Sequence, residues 1–164
     1  MASDPQNPSQ ITSVDDAKFM KLALNLASEA ALAGEVPVGA LIVLNGEIIA
    51  QAGNTKEAEK MPTHHAELKA IEAAALKLGR WRLSDCELYV TLEPCSMCAG
   101  AIVQARLKRL IFGARDPKAG AVRSLYELVS DPRLNHRAEI TEGVLANECG
   151  AVLSAFFKKR RLEK

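Results

Sequence analysis

Aromatic residues are scarce in this chain: Phe, Trp and Tyr make up 4% of its 164 residues, and Trp81 is the one tryptophan. Between Arg80 and Arg82, it is expected to pack in the core or at its edge and to have no role in a site. Long apolar runs are missing too. Polar or charged residues break every such stretch well before the ~20 needed to cross a bilayer, so no membrane association is expected. The opening residues, MASDPQNPSQ, lack a basic flank followed by an apolar core, so no secretory leader is read and a cytoplasmic protein is expected. Cysteines number four, which in a reducing compartment are expected to be thiols or metal ligands, not a disulfide framework. Repeats and low-complexity tracts are absent from the sequence.

What is present suits a folded domain. With 48% hydrophobic and 25% charged residues, the chain can bury enough apolar surface to offset its ordering entropy. Residues 1–13, polar and carrying Pro5 and Pro8, are expected to form a flexible tail before a single domain over 14–164. The net charge is only +1, yet its distribution is uneven. Residues 1–100 hold 8 Lys and Arg against 13 Asp and Glu, whereas residues 101–164 hold 13 against 7. A basic C-terminal segment is a candidate phosphate-binding footprint, although charge alone equally describes solvated helix ends.

The periodicities predict alternating helices and strands. Ser13 and Asp16 have capping-box spacing, and Phe19, Ala23, Leu26, Ala27 and Ala30 recur at helical intervals up to Gly34. Val38–Leu44 and Glu47–Ala52 read as a hairpin closed by Asn45-Gly46, a dipeptide suited to a type I′ turn. Residues 53–63 read as a loop, His65–Leu78 as a helix stopped by Gly79, and Leu88–Leu92 as a strand. Pro94 is placed in the first turn of a helix over Cys95–Arg106. Leu110–Phe112 and Ala138–Thr141 read as strands, Arg115–Ala121 as a loop, and the last helix ends in Lys158-Lys159-Arg160-Arg161. Such alternation gives an α/β fold with helices covering both faces of a sheet that the hairpin makes mixed.

Two segments carry chemistry: His65-Ala66-Glu67 and Pro94-Cys95-Ser96-Met97-Cys98. Together they match the His-x-Glu and Pro-Cys-x-x-Cys signature of zinc nucleobase deaminases. Cys95 and Cys98 share one helix face near its N-terminus, where free N–H groups favour thiolates. His65 supplies a third zinc ligand and leaves a fourth position for water. Glu67, two residues on, is the candidate proton shuttle. Read alone, Cys-x-x-Cys also fits a redox pair or half of a structural zinc site, but neither needs His65 and Glu67 upstream. Cys86 and Cys149 have no metal-spaced companion and are expected to be buried thiols. His64 is expected to be exposed or to line the pocket.

Beyond these motifs, Gly34-Glu35-Val36-Pro37-Val38-Gly39-Ala40, Phe112-Gly113-Ala114-Arg115-Asp116, Asn135-His136-Arg137 and Phe156-Phe157 resemble, in order and spacing, the bacterial tRNA-specific adenosine deaminases. The resemblance runs from about residue 17 to 162. It implies a cytidine deaminase-like three-layer α/β/α sandwich, one Zn2+ per chain, a homodimer, and conversion of the wobble adenosine of a tRNA anticodon stem-loop to inosine. It further implies that Asn54 hydrogen-bonds the target base and that Val36 and Val38 wall it in. Asp116, Lys118, Asn135 and His136 would lie near flanking nucleotides, with Phe157 and Arg161 helping to hold the anticodon loop and Phe156 facing the core. The chain departs from the family at His64 and in the 56–61 loop, which bears on substrate context more than on chemistry. Two rivals stand: a deaminase of a free base such as guanine or cytosine, and a noncatalytic RNA-binding module with a structural zinc.

Overall fold

The computed structural model describes residues 14–164, so the expected tail and Ser13 lie outside the described residues. Helix α1 spans Val14–Leu32 and leads to an antiparallel hairpin, β1 (Gly39–Leu44) and β2 (Glu47–Gly53). At its tip Asn45 and Gly46 both have positive φ, 49° and 78°, as a type I′ turn requires. The stretch expected to be loop contains a short helix, α2 (Lys56–Glu59). Helix α3 covers Ala66–Leu78 and stops at Gly79, whose φ of 67° provides the left-handed cap. Strand β3 (Cys86–Leu92), helix α4 (Ser96–Gln104) and strand β4 (Arg109–Ala114) form a parallel crossover unit. A long connection with one 3-10 turn at Leu128–Ser130 precedes β5 (Glu139–Glu142) and α5 (Ala146–Leu162).

Strand order is β2-β1-β3-β4-β5, antiparallel among the first three and parallel from β3 to β5. Period-two alternation sends Leu41, Val43, Tyr89 and Ile111 to one face, where they bury Phe19, Met20, Ala23 and Cys149 of α1 and α5. Ala40, Ile42, Leu88, Val90, Leu110 and Phe112 face the other way, onto Ala66, Ala70, Ala99 and Ile102 of α3 and α4. The result is the three-layer α/β/α sandwich with a mixed sheet that the alternation predicted. No helix among the described residues is long and apolar enough to cross a membrane.

One polar network ties the layers together. Asp16 on α1 is 1% exposed and accepts from Tyr89 Oη at 2.7 Å and from Arg109 at 3.0 and 2.5 Å. Arg109 also reaches Glu87 and Thr141, so a single guanidinium links β3, β4 and β5 to α1 at the ends where β3 and β4 begin. Trp81 departs from expectation: it is 61% exposed, with the Arg82 guanidinium 5.0 Å from its ring centre. It follows the stop of α3 in an irregular segment with no apolar layer to cover it. Cys86 and Cys149 are buried as expected, at 0% and 1% exposure.

Candidate metal centre and its cavity

The site lies where two helices begin. His65 is the residue before α3, with extended backbone at φ −76° and ψ 150°, and Cys95 stands in the same relation to α4, at φ −73° and ψ 176°. Because Cys95 is extended, Pro94 falls one residue further outside the helix and not in its first turn, as the sequence had suggested. His65 Nδ1 is 3.6 Å from Cys95 Sγ and 3.5 Å from Cys98 Sγ. All three donor atoms lie within 4.8 Å of one another, a group able to hold a metal ion.

The protonation pattern is that of ligands crowded together. Cys95 is held down at about 4, first by the hydrogen bond from the Cys98 thiol and then, against burial, by His65. The thiolate in turn raises His65 above its ordinary 6.5, and it pushes the Cys98 thiol up. One thiolate makes the second costly, so a cation is what would let both sulfurs ionise together. Glu67, two residues past His65 in the first turn of α3, is 5% exposed. Burial pushes its carboxyl above 4.5, while its own backbone N–H and His65 pull the other way.

These groups open into a cavity of about 410 Å³. Of the residues proposed from sequence, Val36, Val38, Asn54, His65, Glu67, Cys95, Asp116 and Phe157 line it, and Cys98 sits behind Cys95 in the metal group. Asn54 does structural work there. Its Oδ1 accepts the Ala66 N–H at 2.8 Å, satisfying a free donor at the start of α3, and its Nδ2 donates to Val36 O at 3.0 Å. Phe156 and Phe157 pack edge to face, centroids 5.4 Å apart, and both line the cavity, so Phe156 does not turn to the core as its position beside Phe157 suggested.

Other expected residues lie outside the cavity. Lys118 is exposed on the loop just past Asp116, and Arg161 is exposed one residue beyond the cavity-lining Arg160. Asn135 and His136 are elsewhere: His136 Nε2 meets Leu107 O at 2.7 Å, at the end of the sheet where β4 begins. His64 bonds Glu59 and does not line the cavity. Sequence reasoning missed Glu35 and Glu93. Glu35 is 2% exposed and its oxygens accept the N–H groups of Glu57 and Ala58 at 3.1 and 2.7 Å, fixing α2 beside the cavity mouth. Arg160, read from sequence only as part of the basic run ending α5, lines the cavity, donates to Gly34 O and stacks 5.0 Å from Phe156.

A mixed five-strand sheet between helices, with a His, Cys, Cys group at two helix starts and a buried Glu beside it, defines a cytidine deaminase-like protein. A family model described as MafB19-like deaminase matches residues 14–161, and the chain belongs to that family. It is 50% identical over 149 residues to the tRNA-specific adenosine deaminase of Bacillus subtilis (strain 168), covering 91% of this chain and 92% of that one. A solved structure from a study of A-to-I editing by tRNA:A34 deaminases at the wobble position of transfer RNA is similar at TM-score 0.80 and 45% identity. It covers 83% of this chain and 99% of that one. The guanine deaminase structure from Bacillus subtilis is similar at TM-score 0.58 and 45% identity, covering 60% and 63%.

Proposed function

We propose that the protein is a zinc-dependent hydrolase that converts adenosine to inosine at the wobble position of a tRNA anticodon. The observation that carries this reading is Glu67, buried beside His65, Cys95 and Cys98 at a cavity wide enough for a base. For ligands at ~2.3 Å (S) and ~2.05 Å (N) around a tetrahedral zinc ion, the N to S separation is about 3.6 Å. The separations here are 3.6 and 3.5 Å, so the three residues fit zinc, and His65, Cys95 and Cys98 would hold it. Zinc, when bound, supplies the Lewis acidity that makes water a usable nucleophile near neutral pH.

The remaining work falls to the chain. Glu67 accepts a proton from the attacking water and delivers it to N1 of adenine as oxygen adds to C6. It then passes the second proton to the exocyclic nitrogen, which leaves as ammonia, so adenosine and water become inosine and ammonia. Val36 and Val38 press on the base, and Asn54, fixed by the start of α3, presents its remaining N–H to it. An anticodon loop is already unpaired, which spares most of the cost of flipping a base. Asp116 and Phe157 would flank the neighbouring nucleotides, while Lys118 and Arg161, outside the cavity, would meet phosphates. A homodimer belongs to the same reading, and it is the arrangement by which Asn135 and His136, remote from their own cavity, would approach an RNA. The chain is read as one domain over 14–164 acting in the cytoplasm.

The test is incubation of the zinc-loaded protein with an anticodon stem-loop bearing a wobble adenosine, with free adenine, guanine and cytosine in parallel and product read by mass. Inosine in the RNA alone is the expected result. Deamination of a free base in its place would keep the chemistry and remove the RNA. No reaction with zinc bound would overturn the enzymatic reading.

A further inference from the structure

Glu93 stands two residues before the first cysteine of the metal group, and its side chain is 2% exposed. Five donors converge on its carboxylate, all from a segment 23 to 31 residues further along. Oε1 accepts the Asp116 N–H at 3.0 Å and the Ser124 hydroxyl at 2.5 Å. Oε2 accepts the N–H groups of Val122, Arg123 and Ser124 at 3.1, 2.8 and 2.9 Å. Three successive backbone N–H groups on one oxygen form an anion nest, here filled by the protein's own side chain.

The segment from 115 to 124 has no helix or strand of its own. Asp116 closes a turn within it by accepting from Lys118, Ala119 and Gly120, Arg115 pairs with Glu142, and the Glu93 bonds with two others fix it beside the metal group. Ala121 N donates to Pro94 O at 2.8 Å, and Gly120 pairs with Cys95 in an isolated antiparallel bridge. A Cβ on Gly120 would lie 2.3 to 2.5 Å from the Glu93 carboxylate, so only glycine admits this approach. Glu93, Cys95, Asp116 and Ala119 then stand together in the cavity wall.

We propose that Glu93 is a positioning residue for the reaction, its carboxylate holding the 115–124 segment as the substrate-facing wall of the cavity in fixed register with Cys95. The proposal rests on the reading of this cavity as the substrate site. Glu93 does not touch the reacting atoms; it acts through Asp116 and the backbone beside it.

Two variants of the full, zinc-loaded chain test it. Glu93→Gln puts an amide donor where backbone donors converge, and Ser124→Ala removes one hydroxyl and nothing else. Hydrogen exchange, metal content and deamination of the wobble-adenosine stem-loop are measured on each. For Glu93→Gln, exchange at Val122, Arg123 and Ser124 should accelerate and metal content should hold. KM for the RNA should rise about tenfold, from loss of charge-assisted bonds, while kcat falls less. Ser124→Ala should shift KM in the same direction by a smaller factor, and it decides the matter if Glu93→Gln does not fold. Unchanged exchange or an unchanged KM overturns the proposal. So does loss of metal or a fall in kcat alone, since either would mean that Glu93 serves the cysteine arm and not the wall. A wild-type protein inactive on the stem-loop would instead overturn the deaminase reading, with the exchange data still reporting whether Glu93 organises the segment.

Discussion

Asp16→Ala should cost about 3 kcal/mol of stability, within the range for removing one partner of a buried ion pair. The structure sets where in that range the value falls. Asp16 is 1% exposed, and its loss strips the acceptor from the buried Tyr89 hydroxyl, 2.7 Å away, an uncompensated group worth about 1–3 kcal/mol. Arg109 loses two bonds to Asp16 but keeps Glu87 at 2.9 Å and the Thr141 hydroxyl at 3.0 Å, so its charge is not orphaned. That retained pairing holds the cost at the lower end. For a domain of this size ~1 kcal/mol moves the midpoint by about 2–4 °C, which predicts a fall of roughly 6–12 °C. Thermal and urea unfolding of metal-loaded protein, at one fixed metal concentration, measure it, because bound metal adds to apparent stability. Arg133→Ala is the control: Arg133 is 87% exposed in its pair with Asp131, and its loss should leave unfolding unchanged. A loss for Asp16→Ala no larger than that of the control would refute the claim that this network joins α1 to the sheet.

Further outcomes follow from the site and from the buried thiols. Glu67→Gln should keep metal content and RNA affinity while kcat falls by about 10²–10⁴, the usual worth of general acid and base catalysis; retained turnover would remove Glu67 as the proton carrier. Lys118→Ala and Arg161→Ala should each weaken RNA binding and lower the salt slope of the affinity by about one, checked by titration at several salt concentrations; unchanged slopes would exclude phosphate contacts. Burial pushes the Cys86 and Cys149 thiols from 9.0 up to about 11 and about 12. Both folded values lie above the unfolded one, so the stability these thiols confer is complete below pH ~9 and is lost as pH rises through their folded values. The unfolding midpoint should therefore drop from pH 9 upward, and less steeply in Cys149→Ala; a flat alkaline profile would contradict it.

How much of this was legible in the sequence depends on how local each cause is. The grouping of His65, Cys95 and Cys98, with Glu67 buried beside them, could be read because the candidate ligands cluster in two short segments. The hairpin could be read because Asn45 and Gly46 tolerate positive φ, and the α3 stop because Gly79 does. Glu35 and Glu93 could not. Each looks like an ordinary acidic residue, and its role depends on N–H groups brought to it by the fold, from Glu57 and Ala58 in one case and from Asp116 and Val122 to Ser124 in the other. The same holds for α2, whose first N–H groups are capped by Glu35 from outside the segment. Trp81 was misplaced because an aromatic's hydrophobicity is local information while the absence of a covering layer is not.

The small residues on α3 and α4 and the geometry of the site are physically linked. Three donor atoms can lie within 4.8 Å only if the starts of α3 and α4 come close together on one face of the sheet. The residues that pack there are small: Ala66, Ala70 and Ala99 are each 0% exposed in the same core as Leu88 and Val90. Larger side chains at those positions would hold the helices further from the sheet and from each other, and the ligands with them. With the helices this near, first-turn N–H groups reach the site, and that of Cys98 helps to hold Cys95 as a thiolate. Asn54 uses one such N–H, from Ala66, as its own anchor. The side chain proposed to meet a base is thus positioned by the start of the helix that follows His65, so on that reading the base contact and the metal group would be set by one structural element.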